Sequence, residues 1–226
     1  FFVLPICYGL AALSISQINL QIEPKPNQHK SVWAEIKIGF QVLKERPTIR
    51  RAMLNLVILY SLLAALYVLT ISLASSIESL GPTRFGTLLA TSGLGMAIGA
   101  IVIAQIGNFF SRRKLATIGL SSITLSLILL GHFRGTLIFT LIFCGLLGIG
   151  AALVAIPAQT TLQEDTPESQ RGKVFGLQNN LINISLSLPL VLAGTLVSQY
   201  GLIPVLWLLA TLALIAAILE FPWKHF

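Results

Sequence analysis

The chain has 226 residues, 55% of them hydrophobic and only 10% charged, with a mean hydropathy of +0.85 and a net charge of +7. A soluble domain needs far more polar surface to cover its core, so that class is excluded. In a membrane chain basic residues mark cytoplasmic loops, so the positive balance speaks of topology, and no nucleic-acid partner is expected.

The apolar residues gather into seven runs, and a helix needs roughly 20 such residues to cross hydrocarbon. The runs do not alternate, which excludes a β-barrel. The first, over residues 1–20, begins FFVLPICYGLAALSI and has neither an initiator Met nor a basic leading region. It reads as the end of a span whose start lies upstream rather than as a signal peptide. A polar linker follows over residues 21–51. Inside it, SVWAEIKIGFQVLKERP sets Val32, Trp33, Ile36, Phe40 and Leu43 within roughly a 100° arc of a helix, flanked by Lys37 and Lys44. Such a helix suits the anionic surface of the cytoplasmic leaflet, and equally a linker packed on protein. Ile38 and Val42 fall off the stripe, Gly39 weakens it, and Pro47 ends it.

Six full spans are predicted at 52–77, 86–110, 115–133, 135–158, 174–198 and 202–222, forming one domain over 52–222, with 223–226 as a tail. The breaks are turn or charge signals: Gly81-Pro82, Arg112-Arg113-Lys114, His132-Phe133-Arg134 and Gln199-Tyr200-Gly201. If the linker is cytoplasmic and the loops alternate, 13 of the 15 Lys and Arg lie inside and only Arg84 and Arg134 lie outside. The positive-inside rule therefore predicts a cytoplasmic C-terminus in a multi-pass protein of the plasma (inner) membrane. Between the fifth and sixth runs, LQEDTPESQRGKVFGLQNN is a charged cytoplasmic loop. In it Thr166-Pro167-Glu168 reads as a helix start, with Thr as N-cap and Pro at the first position.

Ionisable groups inside a span are the first place to look for function. Here no Asp, Glu, Lys, Arg or His lies mid-span; Glu78, Glu220 and His132 sit near ends. Neutral polar residues remain. Asn179, Asn180, Asn183 and Ser187 share one face of the predicted span at 174–198. They form either the wall of a translocation path or interhelical hydrogen bonds. Tyr60 and Tyr67 stand one heptad apart with Thr70 nearby, as cavity residues or, for one of them, an interfacial anchor. Thr87, Thr91, Gly95 and Gln105 share a side of the next span. SGLGMAIGA has loop-like glycines, but no strand precedes it, so Gly95 and Gly99 read as close helix packing, as do Gly145, Gly148 and Gly150. Pro157 and Pro189 interrupt two spans and permit bending. Cys7 and Cys144 are isolated in apolar runs, and no cluster has metal-ligand spacing. No cofactor and no enzymatic activity are expected.

The basic surface helix, the six spans and the TPESQRGKVFGLQNN loop together resemble the C-terminal half of a major facilitator superfamily transporter. IKIGFQVLKERPTIRRAML is similar to the central loop running into the seventh span of bacterial exporters of that superfamily. GNFFSRRKL resembles a degenerate Gly-x-x-x-Asp-Arg loop motif: Gly107 and Arg112 match, and Ser111 stands in place of the acid. Arg171, Gly172 and Gly176 match the Arg-Gly-x-x-x-Gly pattern that opens the eleventh span. The resemblance implies an all-α six-helix half-bundle, spans 7–12 plus the end of span 6, around a midplane site. It implies alternating-access export of small amphipathic compounds, coupled to protons through an acid in the missing N-terminal half. That half, membrane lipid and a small-molecule substrate are the implied partners. Tyr60, Tyr67, Thr91, Gln105, Asn180 and Asn183 become the expected substrate path, and Gly107, Arg112, Arg113, Arg171 and Gly172 the cytoplasmic gating loops. A lysophospholipid-type lipid transporter and a non-transporting membrane scaffold are the alternatives.

Overall fold

A computed structural model describes residues 8–10, 13, 14, 16, 17, 32–77, 80–133 and 135–221. Most of the expected span end over 1–20, the tail at 223–226, Glu78 and Arg134, and the side chains of Val32, Trp33, Ile36 and Lys37 lie outside the described residues. Backbone contacts divide the chain into two units, Phe1–Ala34 and Glu35–Phe226. In the first, residues 8–10, 13, 14 and 16 are helical. There the Ser14 and Ser16 hydroxyls donate to the carbonyls of Leu10 and Leu13 at 2.9 and 2.8 Å.

The remaining elements are helices: α1 (Val32–Glu45), α2 (Pro47–Ser75), α3 (Gly86–Ile106), α4 (Arg112–His132), α5 (Leu137–Asp165), α6 (Arg171–Tyr200) and α7 (Leu202–Glu220). Helices α2 to α7 are each long and apolar enough to cross a membrane. The shortest, α7, has 19 residues and is about 28 Å long, close to the ~30 Å hydrocarbon thickness.

Helix ends differ from the sequence expectation where charge mimics a loop. Only Arg46, in extended conformation, separates α1 from α2, and Pro47 opens α2 five residues before the expected start at 52. Its missing N–H costs nothing in the first turn. Helix α5 runs on to Asp165 instead of ending at 158, carrying Glu164 and Asp165 as helical residues. Thr166 does not cap the next helix: it is extended, and its buried hydroxyl has no hydrogen-bond partner. A short 3₁₀ turn, Glu168–Gln170, intervenes before α6. Ser111, in contrast, is a working N-cap of α4, its hydroxyl accepting from the Lys114 N–H at 3.3 Å.

Helix α5 is the hub and packs on α2, α3 and α4, while α4 also packs on α7 and α2 on α6. Leu59, Leu69, Leu120, Ile123, Leu127 and Leu206 form the middle of the main core. Glycines set the closest approaches. A Cβ at Gly95 would strike the Gly145 backbone, and one at Gly148 would strike the Ser92 carbonyl. A Cβ at Gly119 would stand 2.6 Å from the Gly150 carbonyl oxygen. Backbones therefore touch across α3–α5 and α4–α5, the packing that small residues allow in membranes. Both prolines are accommodated inside continuous helices, Pro157 in α5 and Pro189 in α6. The apolar stretches of α2, α4 and α5 are 50% buried, against 17% for α3 and 11% for the stretch containing α6. Those two helices leave most of their surface bare.

The second half of α1 packs on protein, with Leu43 of the expected stripe turned inward and Phe40 left open. Gly39, Val42 and Leu43 are buried, and Phe40 is 51% exposed. Val42 and Leu43 join Ile49, Met53, Val174 and Leu177 in a second core. Gly39 is the reason: a Cβ there would lie 3.1 Å from Leu177 Cδ2 and 3.4 Å from the Lys173 carbonyl. Gly39→Leu is expected to cost about 1 kcal/mol through overpacking, since the Leu177 methyl can yield. Trypsin should then cut faster after Lys44; unchanged cleavage would mean that α1 is not held by this contact.

Candidate functional site

Of the six expected path residues, Tyr67, Gln105, Asn180 and Asn183 are exposed and Tyr60 and Thr91 are half-buried. Asn179, Asn180 and Asn183 are exposed along α6, and the Ser187 hydroxyl donates to the Asn183 carbonyl at 2.8 Å. Across the α2–α6 contact, Tyr67 is 47% exposed, its ring set edge-on to Phe85 at 6.3 Å. Tyr60, one heptad earlier, is half-buried against the second core. Thr70 is buried and donates to the Tyr67 carbonyl at 2.6 Å. On α3, Thr91 is half-buried beside Gly145 and donates to the Thr87 carbonyl at 2.8 Å, while Gln105 is exposed near the helix end. Tyr67 alone of the six lines a small cavity of about 70 Å³, together with Thr70, Ser92 and the buried free thiol of Cys144.

An amide pair missed in the sequence lies between α5 and α6. Gln178, 6% exposed, donates to Gln159 Oε1 at 2.7 Å. It fastens α5 to α6, which otherwise packs mainly on α2. Residues of this kind are visible in sequence only as amides flanked by apolar neighbours, which is also how Asn180 looks.

The expected gating arginines divide into two behaviours. Arg112 pairs with Glu164 of α5 and donates to the Thr161 hydroxyl at 3.2 Å. Arg113 donates to the Glu220 and Phe221 carbonyls at 2.8 and 3.0 Å and lies 3.8 Å from the Glu220 carboxylate. Arg46 donates to the Asp165 carbonyl at 3.0 Å. The C-terminal ends of α5 and α7 are thus closed by arginines from other elements, which satisfy carbonyls that helices leave open and complement their dipoles. Glu164, absent from the loop motif itself, supplies the acid opposite Arg112. Among the described residues the Arg171 side chain pairs with Glu168, at 3.7 Å and with both side chains exposed, a pair worth little. Gly107 begins the turn after α3, and a Cβ at Gly172 would meet nothing within 4 Å.

Six apolar spans, glycine-mediated contacts and arginine-closed helix ends define an all-α, multi-pass membrane protein built as a six-helix half-bundle. Residues 53–224 match the model of the Major Facilitator Superfamily, and the chain belongs to that family of transporters. A 122-residue stretch is 30% identical to the multidrug efflux pump Tap of Mycolicibacterium fortuitum, covering 54% of this chain and 29% of that relative. Uncharacterized MFS-type transporters of Mycobacterium bovis and Mycobacterium tuberculosis are each 33% identical over 72 residues, which is 31% of this chain and 16% of theirs. The matches therefore span less than a third of each relative.

Proposed function

We propose that this chain is the C-terminal half of a secondary active exporter of small amphipathic compounds, working by alternating access. The observation that carries this is the bare face of α6, where Asn180 and Asn183 stand exposed on a helix that crosses hydrocarbon. Amides in lipid are costly, so that face needs a protein partner or a wet path. A matching N-terminal half would cover α3 and α6 and enclose a path lined by Tyr60, Tyr67, Thr91, Gln105, Asn180 and Asn183. The likeness to a multidrug efflux pump supports export of amphipathic compounds. The division of basic residues, 13 against 2, supports a cytoplasmic α1 end in the inner membrane. Residues 21–51 then form the cytoplasmic linker and 52–222 the transport domain. Arg112, Arg113 and Arg171, with Gly107 and Gly172, lie at that end as gating elements. No acid lies mid-span here, so proton coupling draws on a carboxylate in the other half.

The test is efflux of an amphipathic dye from cells carrying the full gene product, with Asn183→Ala and Tyr67→Ala at matched expression. Losing one contact worth about 1 kcal/mol slows efflux roughly fivefold in at least one variant. Wild-type rates in both would remove these residues from the path.

One observation favours lipid handling as a second reading. An apolar groove of about 450 Å³ lies between α2, α6 and α7, lined by Leu62, Ala65, Leu196, Leu209 and Leu212 among others. Competition of dye efflux by lysophospholipid separates the two.

A further inference from the structure

The groove of about 450 Å³ between α2, α6 and α7 is a seam between two helix pairs, since α2 packs on α6 and α7 packs mainly on α4. Its floor includes the buried residues Leu62, Ala65, Ala193 and Ala216, and its rim the exposed Leu212 and Leu219. Among the described residues Ser61, half-buried, is the one polar side chain in the lining, and no charged residue joins it. Along α7 the groove runs from Val205 to Leu219, about 21 Å in the direction of the helix axis. That length and volume correspond to a bore about 5 Å across, the width of a single file of methylenes whose carbon contacts fall near 4 Å. Pro189, Leu192, Ala193 and Leu196 line it from the side of α6 opposite Asn180, Asn183 and Ser187. The groove therefore opens away from the amide face.

We infer that this groove seats one acyl chain of a bilayer phospholipid, held as a fixed companion of the bundle whatever cargo the path carries. The inference rests on the export reading in one respect: the other half of the transporter covers the amide face of α6, which leaves the opposite face to lipid. In hydrocarbon the groove does not stay empty, because a void forfeits the dispersion contacts of its lining and an apolar lining gives water no partners. The same lining disfavours a polar or charged occupant. A bore one chain wide takes a linear chain and is too narrow for the fused rings of a dye. The bore follows a membrane-spanning helix, the direction in which bilayer chains already lie, so a chain loses little freedom on entering it.

The experiment places the full gene product in phosphatidylethanolamine–phosphatidylglycerol vesicles doped with a phosphatidylethanolamine that carries a diazirine midway along one chain. After irradiation, peptide mass spectrometry locates the adducts. Leu62 is buried in the floor, and Leu125 is exposed on α4 outside the groove. A seated chain dwells against the floor, so adducts at Leu62 should form at least as often as those at Leu125. Ser61→Phe puts a ring into the bore and should abolish the Leu62 adducts while leaving those at Leu125. Because the ring fills space that lipid otherwise fills, this variant should melt no lower than the wild type once lipid is stripped. If it fails to fold, Leu212→Phe at the exposed rim blocks the same bore and should give the same loss. Asn183→Ala, which tests the path, should leave the Leu62 adducts unchanged, so a failed path and a failed seat give different results. Adducts at Leu62 that are absent or far rarer than those at Leu125 overturn the proposal. So do Leu62 adducts that persist at the wild-type yield in a folded Phe variant.

Discussion

Gly148→Val is expected to lower the stability of the bundle by about 3 kcal/mol, more than any surface change in this chain. A Cβ at Gly148 meets the Ser92 carbonyl and comes within 2.9 Å of the Met96 nitrogen, both backbone atoms of α3. Backbone cannot rotate away as a side chain can, so α3 must separate from α5. Separation also opens Gly95 against Gly145 and Gly99 against Ala152, the two other close points along the same crossing. In a membrane no hydrophobic force recovers the loss, because lipid solvates the freed surfaces as well as protein does. The measurement is a thermal melt of the detergent-solubilised protein, with a drop on the order of 10 °C. Gly172→Val serves as the control, since a Cβ there meets nothing within 4 Å and the residue is helical. If Gly148→Val melts with the wild type, the α3–α5 contact described above does not exist.

The same contact illustrates what sequence discloses. Six apolar runs became six helices because hydrocarbon admits little else, and glycines spaced one turn apart inside them became contact points. Helix ends were less legible. Glu164 and Asp165 look like loop residues, yet a helix continues into water at no cost, and α5 carries them to meet arginines. The packed face of α1 was legible only in part. Periodicity finds an apolar stripe with Phe40 and Leu43, of which packing buries Leu43 together with Gly39 and Val42, where α6 comes closest. Of the site, the exposed amides of α6 were legible as polar residues in an apolar run. The partners of Arg112 and Arg113 were not, because they lie 52 and 107 residues away along the chain. Nor did the Gln159–Gln178 pair stand out, since burial and partnership are properties of the assembled bundle.

Arg113→Ala is expected to cost about 3 kcal/mol, and Glu220→Gln in the same chain is expected to recover much of it. Glu220 is only 8% exposed, and Arg113 is the cation 3.8 Å from its carboxylate. Removing the arginine leaves a nearly buried carboxylate without that cation, and leaves the Glu220 and Phe221 carbonyls without two charge-assisted donors. The penalty is mostly the desolvated charge, so neutralising Glu220 relieves that part and leaves only the lost carbonyl bonds. Glu220→Gln alone is therefore expected to be mild, because Arg113 keeps both carbonyl acceptors and is itself half-exposed. The double-mutant cycle on thermal stability measures the coupling directly. A coupling near zero, with Arg113→Ala still costly, would assign the whole effect to helix-end carbonyls. A cheap Arg113→Ala would remove the closure of α7 from the forces that hold this end of the bundle together.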